Sequence, residues 1–224
     1  MSVKSYKADV TIVGGGIAGI VSAIELLDQN KKVLILDRDD EGNLGGLAKW
    51  SFGGICMIGT PEQKRMKIDD SPHLALKDWT SFAEFEEGAH WPKKWAEFYT
   101  QNSLEFIYHW LKDRGVSFLA MVNWPERGLY KPGNSVPRWH ITWGTGHGLM
   151  EALINHMNEH PNRDNLTIRY NHKVEDLETT DGKVNRMFWS DRNGSNKISG
   201  GVRRGDHCGR RHLRGSGSGA KALV

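Results

Sequence analysis

Cysteine is nearly missing from this sequence: Cys56 and Cys208 are the two among 224 residues. They cannot build a disulfide framework or a cysteine-rich metal site, and they fit a reducing cytoplasm. Long apolar runs are missing as well. None approaches the roughly 18 residues that a membrane span needs, and the polar start Met-Ser-Val-Lys-Ser-Tyr-Lys lacks the apolar stretch of a signal peptide. A cytoplasmic chain with no membrane span is expected. A large single-sign charge is also absent. The chain carries +3, but residues 201–224 hold five arginines, one lysine and one aspartate, which leaves 24 basic and 26 acidic residues in the body. Such a body has no electrostatic footprint for nucleic acid. With 38% hydrophobic residues and nine tryptophans, the chain can still bury a substantial core.

The most informative stretch is residues 9–37. It reads as a strand over 8–13, a glycine turn, an amphipathic helix over 16–30 and a second strand over 32–36. Ile17, Ile20, Val21, Ile24 and Leu27 give the helix one apolar face. The second strand, Lys-Val-Leu-Ile-Leu, is apolar almost throughout, as in a parallel sheet buried on both faces. Gly14, Gly16 and Gly19 fill the three positions of G-x-G-x-x-G. The first permits the tight turn, the second lets a pyrophosphate approach the backbone, and the third brings helix and sheet together. The helix then points its free N–H groups and positive dipole end at the phosphates. Asp37 follows Gly19 by 18 residues, where a carboxylate can bond a ribose diol. The expected class is α/β with a Rossmann-type β-α-β start. An ordinary β-α-β unit with a glycine-rich turn is the alternative.

Two further glycine pairs follow, Gly45-Gly46 and Gly53-Gly54, interleaved with Leu44, Leu47, Trp50, Phe52 and Ile55. Bare backbone of this kind suits a planar ring or a phosphate lying against the chain, and a flexible linker is not so apolar. Trp91, Trp95, Phe98, Tyr99, Phe106, Ile107, Trp110 and Leu111 recur at steps of three and four, so a long amphipathic helix is expected up to Arg114, ended by Gly115. Its aromatic stripe is read as core, with a substrate wall as the alternative. Residues 116–122 read as a strand, 123–148 as loop, and 149–160 as a helix entered through Trp-Gly-Thr-Gly-His-Gly. Residues 166–177 read as two short strands meeting at a bend. Asp181-Gly182 signals a hairpin whose returning strand is 183–189.

These motifs together resemble the fumarate reductase/succinate dehydrogenase flavoprotein superfamily, over about residues 8–188. Within it, Trp-Ser-Phe-Gly-Gly with Asp-Ser-Pro-His-Leu-Ala-Leu-Lys-Asp-Trp, in 50–79, and Asn-Ser-Val-Pro-Arg-Trp-His-Ile-Thr-Trp-Gly-Thr-Gly-His-Gly, in 134–148, look like the FAD-binding dehydrogenases related to 3-ketosteroid Δ1-dehydrogenases. The resemblance implies a glutathione-reductase-like FAD-binding domain, incomplete at its C-terminus. Residues 1–189 would form it, with a helical insertion at about 62–115. Gly14, Gly15, Gly16, Ile17, Ala18 and Gly19 would hold the pyrophosphate, and Asp37 with Arg38 the adenosine ribose. Gly45, Gly46, Ser51, Gly53 and Gly54 would lie along the pyrophosphate and isoalloxazine, and Val174 against the adenine. A small-molecule substrate is implied, a carbonyl compound such as a ketosteroid-like ring oxidised or reduced at a neighbouring CH–CH bond, and no metal. His140, His147 and Tyr130 are the polar candidates on the substrate side, although a lone histidine in an aromatic loop is more often structural.

After Trp189 the periodicity stops, and Gly, Arg and Ser dominate residues 190–224. That composition reads as a disordered tail. A second explanation is translation out of frame. The resemblance calls here for a hydrophobic strand ending in a small-residue turn. The codons of residues 209–215, read one nucleotide later, can encode Val-Val-Val-Thr-Ser-Gly-Gly. The rival functional expectations are an NAD(P)-binding oxidoreductase, a catalytically inactive fragment, and a nucleic-acid-binding protein that uses the basic tail.

Overall fold

The computed structural model of the chain describes residues 6–125, 133–191 and 198–201. Tyr130, Cys208 and the arginine-rich stretch that suggested an out-of-frame tail lie outside the described residues.

Strand β1 (Val10–Val13), helix α1 (Ile17–Asp28) and strand β2 (Val33–Leu36) form the expected β-α-β start. All four residues of β2 are buried, and they serve two cores in alternation. Val33 and Ile35 join Ile20, Ile24 and Leu27 of α1 on one side. Leu34 and Leu36 meet Met187 and Trp189 on the other. Strands β1 and β6 (Leu166–Arg169) flank β2, both parallel to it. Helix α6 (Thr145–Asn158) covers the first core with Leu149, Met150, Leu153 and Met157. Each such side chain contributes on the order of 1.5–3 kcal/mol by leaving water.

A second sheet is antiparallel, with β5 (Trp139–Thr142) between β3 (Gly54–Cys56) and β4 (Phe118–Asn123). The stretch 123–148, expected to be loop, therefore contains a central strand of four residues. Helix α6 also starts four residues before the expected Leu149, because Gly146 and Gly148 belong to its first turn. The third sheet joins β7 (His172–Thr180), β8 (Lys183–Asp191) and β9 (Ile198–Gly201). Asp181 and Gly182 turn the hairpin with φ of 52° and 70°, the left-handed pair that Asp-Gly favours. Strand β8 passes the expected break at Trp189, and β9 pairs with it.

Between β3 and β4 the chain is helical, in α2 (Pro61–Arg65), α3 (Pro72–Ala83), α4 (His90–Ser103), a π-helical turn (Leu104–His109) and α5 (Trp110–Asp113). Gly115 ends the run with φ +83°. Of the aromatic stripe, Leu111 is buried and Ile107 and Trp110 pack against the first core, as expected, but four of its rings depart from that expectation. Trp91, Trp95, Phe98 and Phe106 are 41–68% exposed. The buried side chains of α4 are instead small: Ala96, Thr100 and Ser103. The Ser103 hydroxyl accepts from the Ile58 amide at 3.3 Å, which turns this small-residue face inward. Among the described residues no helix is long and apolar enough to cross a membrane.

Candidate functional site

The first glycine turn does three separate things. Gly14 sits at φ +98°, accessible to glycine without strain, and its amide donates to the Leu36 carbonyl at 2.8 Å. Gly19 lies so close to the turn that an added Cβ would stand 2.0 Å from the Gly14 carbonyl oxygen. Gly14 and Gly16, in contrast, have open space where a side chain would be. Helix α1 begins here with Gly16 as N-cap, no side-chain cap and no acidic residue in its first turn. Its positive end is therefore left for an anion.

Asp37, at the end of β2, closes the turn from the side. One carboxylate oxygen accepts from the Gly15 amide and the other accepts from the Asp39 amide at 2.7 Å. A carboxylate oxygen has a second lone pair, so both can still receive a ribose hydroxyl. The second glycine pair docks on the first turn through backbone alone. The Gly45 amide donates to the Gly15 carbonyl at 2.9 Å, and Gly16 and Gly45 form an isolated parallel bridge. Gly45 and Gly46 take φ of +104° and +55° to do this.

These contacts enclose a cavity of about 440 Å³. Gly14, Gly15, Gly16, Asp37, Arg38, Gly46 and Val174 line it. Ile17, Ala18 and Gly19 form the first turn of α1 beside it, and Gly45 holds its wall. Leu47 and Trp50, from the apolar residues interleaved with the glycine pairs, also line it, as do Asn43, His172 and Lys173, which carried no sequence signal. The last two open β7, which follows β6, the strand paired with β2 although more than a hundred residues separate the two in sequence. The chain thus brings together an uncapped helix N-terminus, two bare backbone turns and a carboxylate with free lone pairs, a set that fits a dinucleotide.

Ser51, Gly53 and Gly54 lie outside this cavity, and their local roles are visible. The Ser51 hydroxyl donates to the Ala48 carbonyl at 2.8 Å and accepts from the Gly53 amide at 3.3 Å. A Cβ on Gly53 would stand 2.3 Å from Thr142 Oγ1, and one on Gly54 would stand 2.1 Å from the Trp139 ring. Both glycines admit close packing of the second sheet and α6.

His140 is enclosed by the chain itself. Its ring is fully buried, with Nδ1 2.8 Å from the Arg138 carbonyl and Nε2 2.7 Å from Thr60 Oγ1. Burial pushes its pKa down, which keeps the ring neutral. It ties β5 to the capping box of α2, where Thr60 and Gln63 satisfy each other. His147 is exposed on α6, 4.0 Å from Glu151. Two residues before His140, Arg138 is held by Asp70 at 2.7 Å and Asp78 at 2.7 Å, all three side chains being almost out of water. Burial opposes its charge, but the hydrogen bonds to Asp70 and Asp78 outweigh that and hold its pKa above the ordinary value.

The comparisons with known proteins agree with this geometry. The chain matches the family described as FAD binding domain over residues 9–204. It is 43% identical over 174 residues to a KsdD-like steroid dehydrogenase of Mycobacterium tuberculosis, covering 76% of this chain and 30% of that protein. Against a KsdD-like steroid dehydrogenase of Mycolicibacterium smegmatis it is 42% identical over 183 residues, covering 79% of this chain and 32% of that protein. Among solved structures it resembles the 3-ketosteroid-Δ4-(5α)-dehydrogenase of Rhodococcus jostii RHA1, solved in complex with 4-androstene-3,17-dione. The TM-score is 0.71 at 26% identity, over 89% of this chain and 45% of that one. The chain thus spans about three tenths of the length of these curated relatives.

Proposed function

The chain belongs to the FAD binding domain family, and on that premise we propose that it is the flavin-holding part of an FAD-dependent dehydrogenase that acts on a CH–CH bond beside a carbonyl in a ring compound. The paired glycine turns at Gly15 and Gly45 carry this proposal, because a simple NAD(P) domain needs no second backbone cradle there. Three of this chain's features would hold the cofactor. The N–H groups at the start of α1 would bind the pyrophosphate, Asp37 would take the ribose diol, and Val174 with Leu36 would lie on the adenine side. The backbone at Gly45 and Gly46 continues the wall toward Trp50, and would support the flavin part of the cofactor. When bound, FAD supplies the two-electron redox step, and the protein supplies orientation and electrostatics. No acid or base of this chain is assigned to the chemistry. The steroid dehydrogenase names of the relatives support a ketosteroid-like substrate.

The test is to titrate the purified, flavin-free chain with FAD, FMN and NAD. FAD should bind at one site and give a yellow complex absorbing near about 450 nm. Binding of NAD but not FAD would overturn the proposal, and so would equal binding of FMN, which lacks the adenosine that Asp37 addresses.

A further inference from the structure

Trp91, Trp95, Phe98 and Phe106 keep their rings in water along one side of α4 and the π-helical turn that continues it. None of the four lines the dinucleotide cavity. We propose that this face binds a second copy of the chain, α4 against α4 and antiparallel, about a two-fold axis close to Phe98.

The rings form one patch. Phe98 stands 5.9 Å from Trp95 and 6.0 Å from Phe106, centroid to centroid. Trp91 precedes Trp95 by one helical turn. The cause is local: α4 buries Ala96, Thr100 and Ser103, so its aromatic side is turned outward. An aromatic side chain removes on the order of 150–250 Å² from water when it is buried. The exposed shares of these four leave on the order of 500 Å² of aromatic surface per chain. With Lys94, Gln101 and Glu105, all exposed at its rim, the face comes near the roughly 800 Å² that each partner gives to a stable interface.

Charge selects the occupant. The Lys94 ammonium lies 5.5 Å from the centre of the Trp91 ring, at the N-terminal end of the patch. Glu105 precedes Phe106 at the C-terminal end. A patch with opposite charges at its two ends becomes complementary to itself under a two-fold rotation. That rotation brings each Lys94 to the other copy's Glu105 and lays ring on ring between them. It also sets the two helix dipoles against each other, which favours the pair. An anionic membrane would attract Lys94 and repel Glu105. A peptide of one charge would leave one end unmatched.

Sedimentation equilibrium of the full chain tests the proposal. A reversible monomer–dimer equilibrium in the micromolar range is expected. Trp95→Asp, at the centre of the patch, should weaken it by at least about ten-fold. Lys94→Glu and Glu105→Lys each set like charges together at both ends of the interface, and each should weaken it by about ten-fold. An equimolar mixture of these two single variants should dimerise nearly as the original chain does, because both Lys–Glu pairs are then restored. The double variant Lys94→Glu, Glu105→Lys should do the same. Recovery on mixing separates lost pairing from misfolding of either variant. The proposal is overturned by a chain that stays monomeric, whether or not it co-sediments with phosphatidylglycerol vesicles, or by a mixture no better than its parts. A dimer dissolved by Phe52→Asp and not by Trp95→Asp would overturn it too, since the interface would then lie beside the cradle.

Discussion

Gly16 and Gly19 are the same residue three positions apart, and the structure asks different things of them. At Gly19 an added methyl meets the Gly14 carbonyl oxygen at 2.0 Å. Gly19→Ala should therefore destabilise the fold by about 3 kcal/mol, the upper range for overpacking, seen as a lower denaturation midpoint. At Gly16 a methyl meets nothing within 4 Å, and the backbone is extended. Gly16→Ala should keep stability within about 0.5 kcal/mol yet lower FAD affinity at least about ten-fold, because it fills the approach to the pyrophosphate. His140 carries a pH prediction. Burial lowers its pKa, so the folded state holds fewer protons than the unfolded state around neutral pH. Stability is then fully present above the unfolded value of about 6.5 and falls as pH drops below it, until the folded pKa is passed. His156, also lowered by burial, adds in the same direction. In urea titrations from pH 8 to pH 5, His140→Gln should flatten this slope. An unchanged slope would refute the assignment.

At the level of elements, the Arg138 cluster joins β5 to α3 and to Asp70 just before it. Removing the guanidinium alone leaves two buried carboxylates facing each other. Arg138→Leu should cost about 3–5 kcal/mol, and the triple variant Arg138→Leu, Asp70→Asn, Asp78→Asn should recover much of that loss in chemical denaturation. Such ties also explain which elements were legible in the sequence. The β-α-β start declares itself because glycine turn, helix period and buried strand all lie within thirty residues. Gly115 and Asp181-Gly182 announce themselves by local turn chemistry. Strand β5 does not, since four residues among loop signals carry too little periodicity and its pairing is set by partners far away in sequence. The aromatic stripe of α4 misleads for a related reason. Period identifies a face, but only tertiary neighbours decide which face is buried, and here the Ala96–Thr100–Ser103 side won. Within the candidate site, the residues of the glycine turns and Asp37 were readable, whereas His172 and Lys173 were not.

For the whole molecule, a ligand that binds the folded state alone raises its stability. At an FAD concentration one hundred times the dissociation constant, the gain is about 2.7 kcal/mol. For a chain of this size that corresponds to a rise in melting temperature of roughly 5–10 °C. NAD at equal concentration should give no comparable rise, and thermal melts with each nucleotide check this. The same scale explains why Leu47, Trp50, Phe52 and Trp143 are each at least 63% exposed beside the cradle. An apolar rim of this kind beside a cavity marks a surface suited to contact with another apolar surface.

The bond from the Gly45 amide to the Gly15 carbonyl has a consequence for how such a site tolerates change over generations. It is written in main chain, so the side chains between Asp37 and Gly45, apart from that of the buried Leu44, can be exchanged with little effect on the junction. Their number cannot. A residue inserted or deleted in that interval would carry Gly45 past its partner and shift the left-handed turn onto a neighbour with a side chain. The cradle is thus permissive toward substitution and strict about length, and a library of single-residue deletions across 38–44 should lose flavin far more often than a library of substitutions at the same positions.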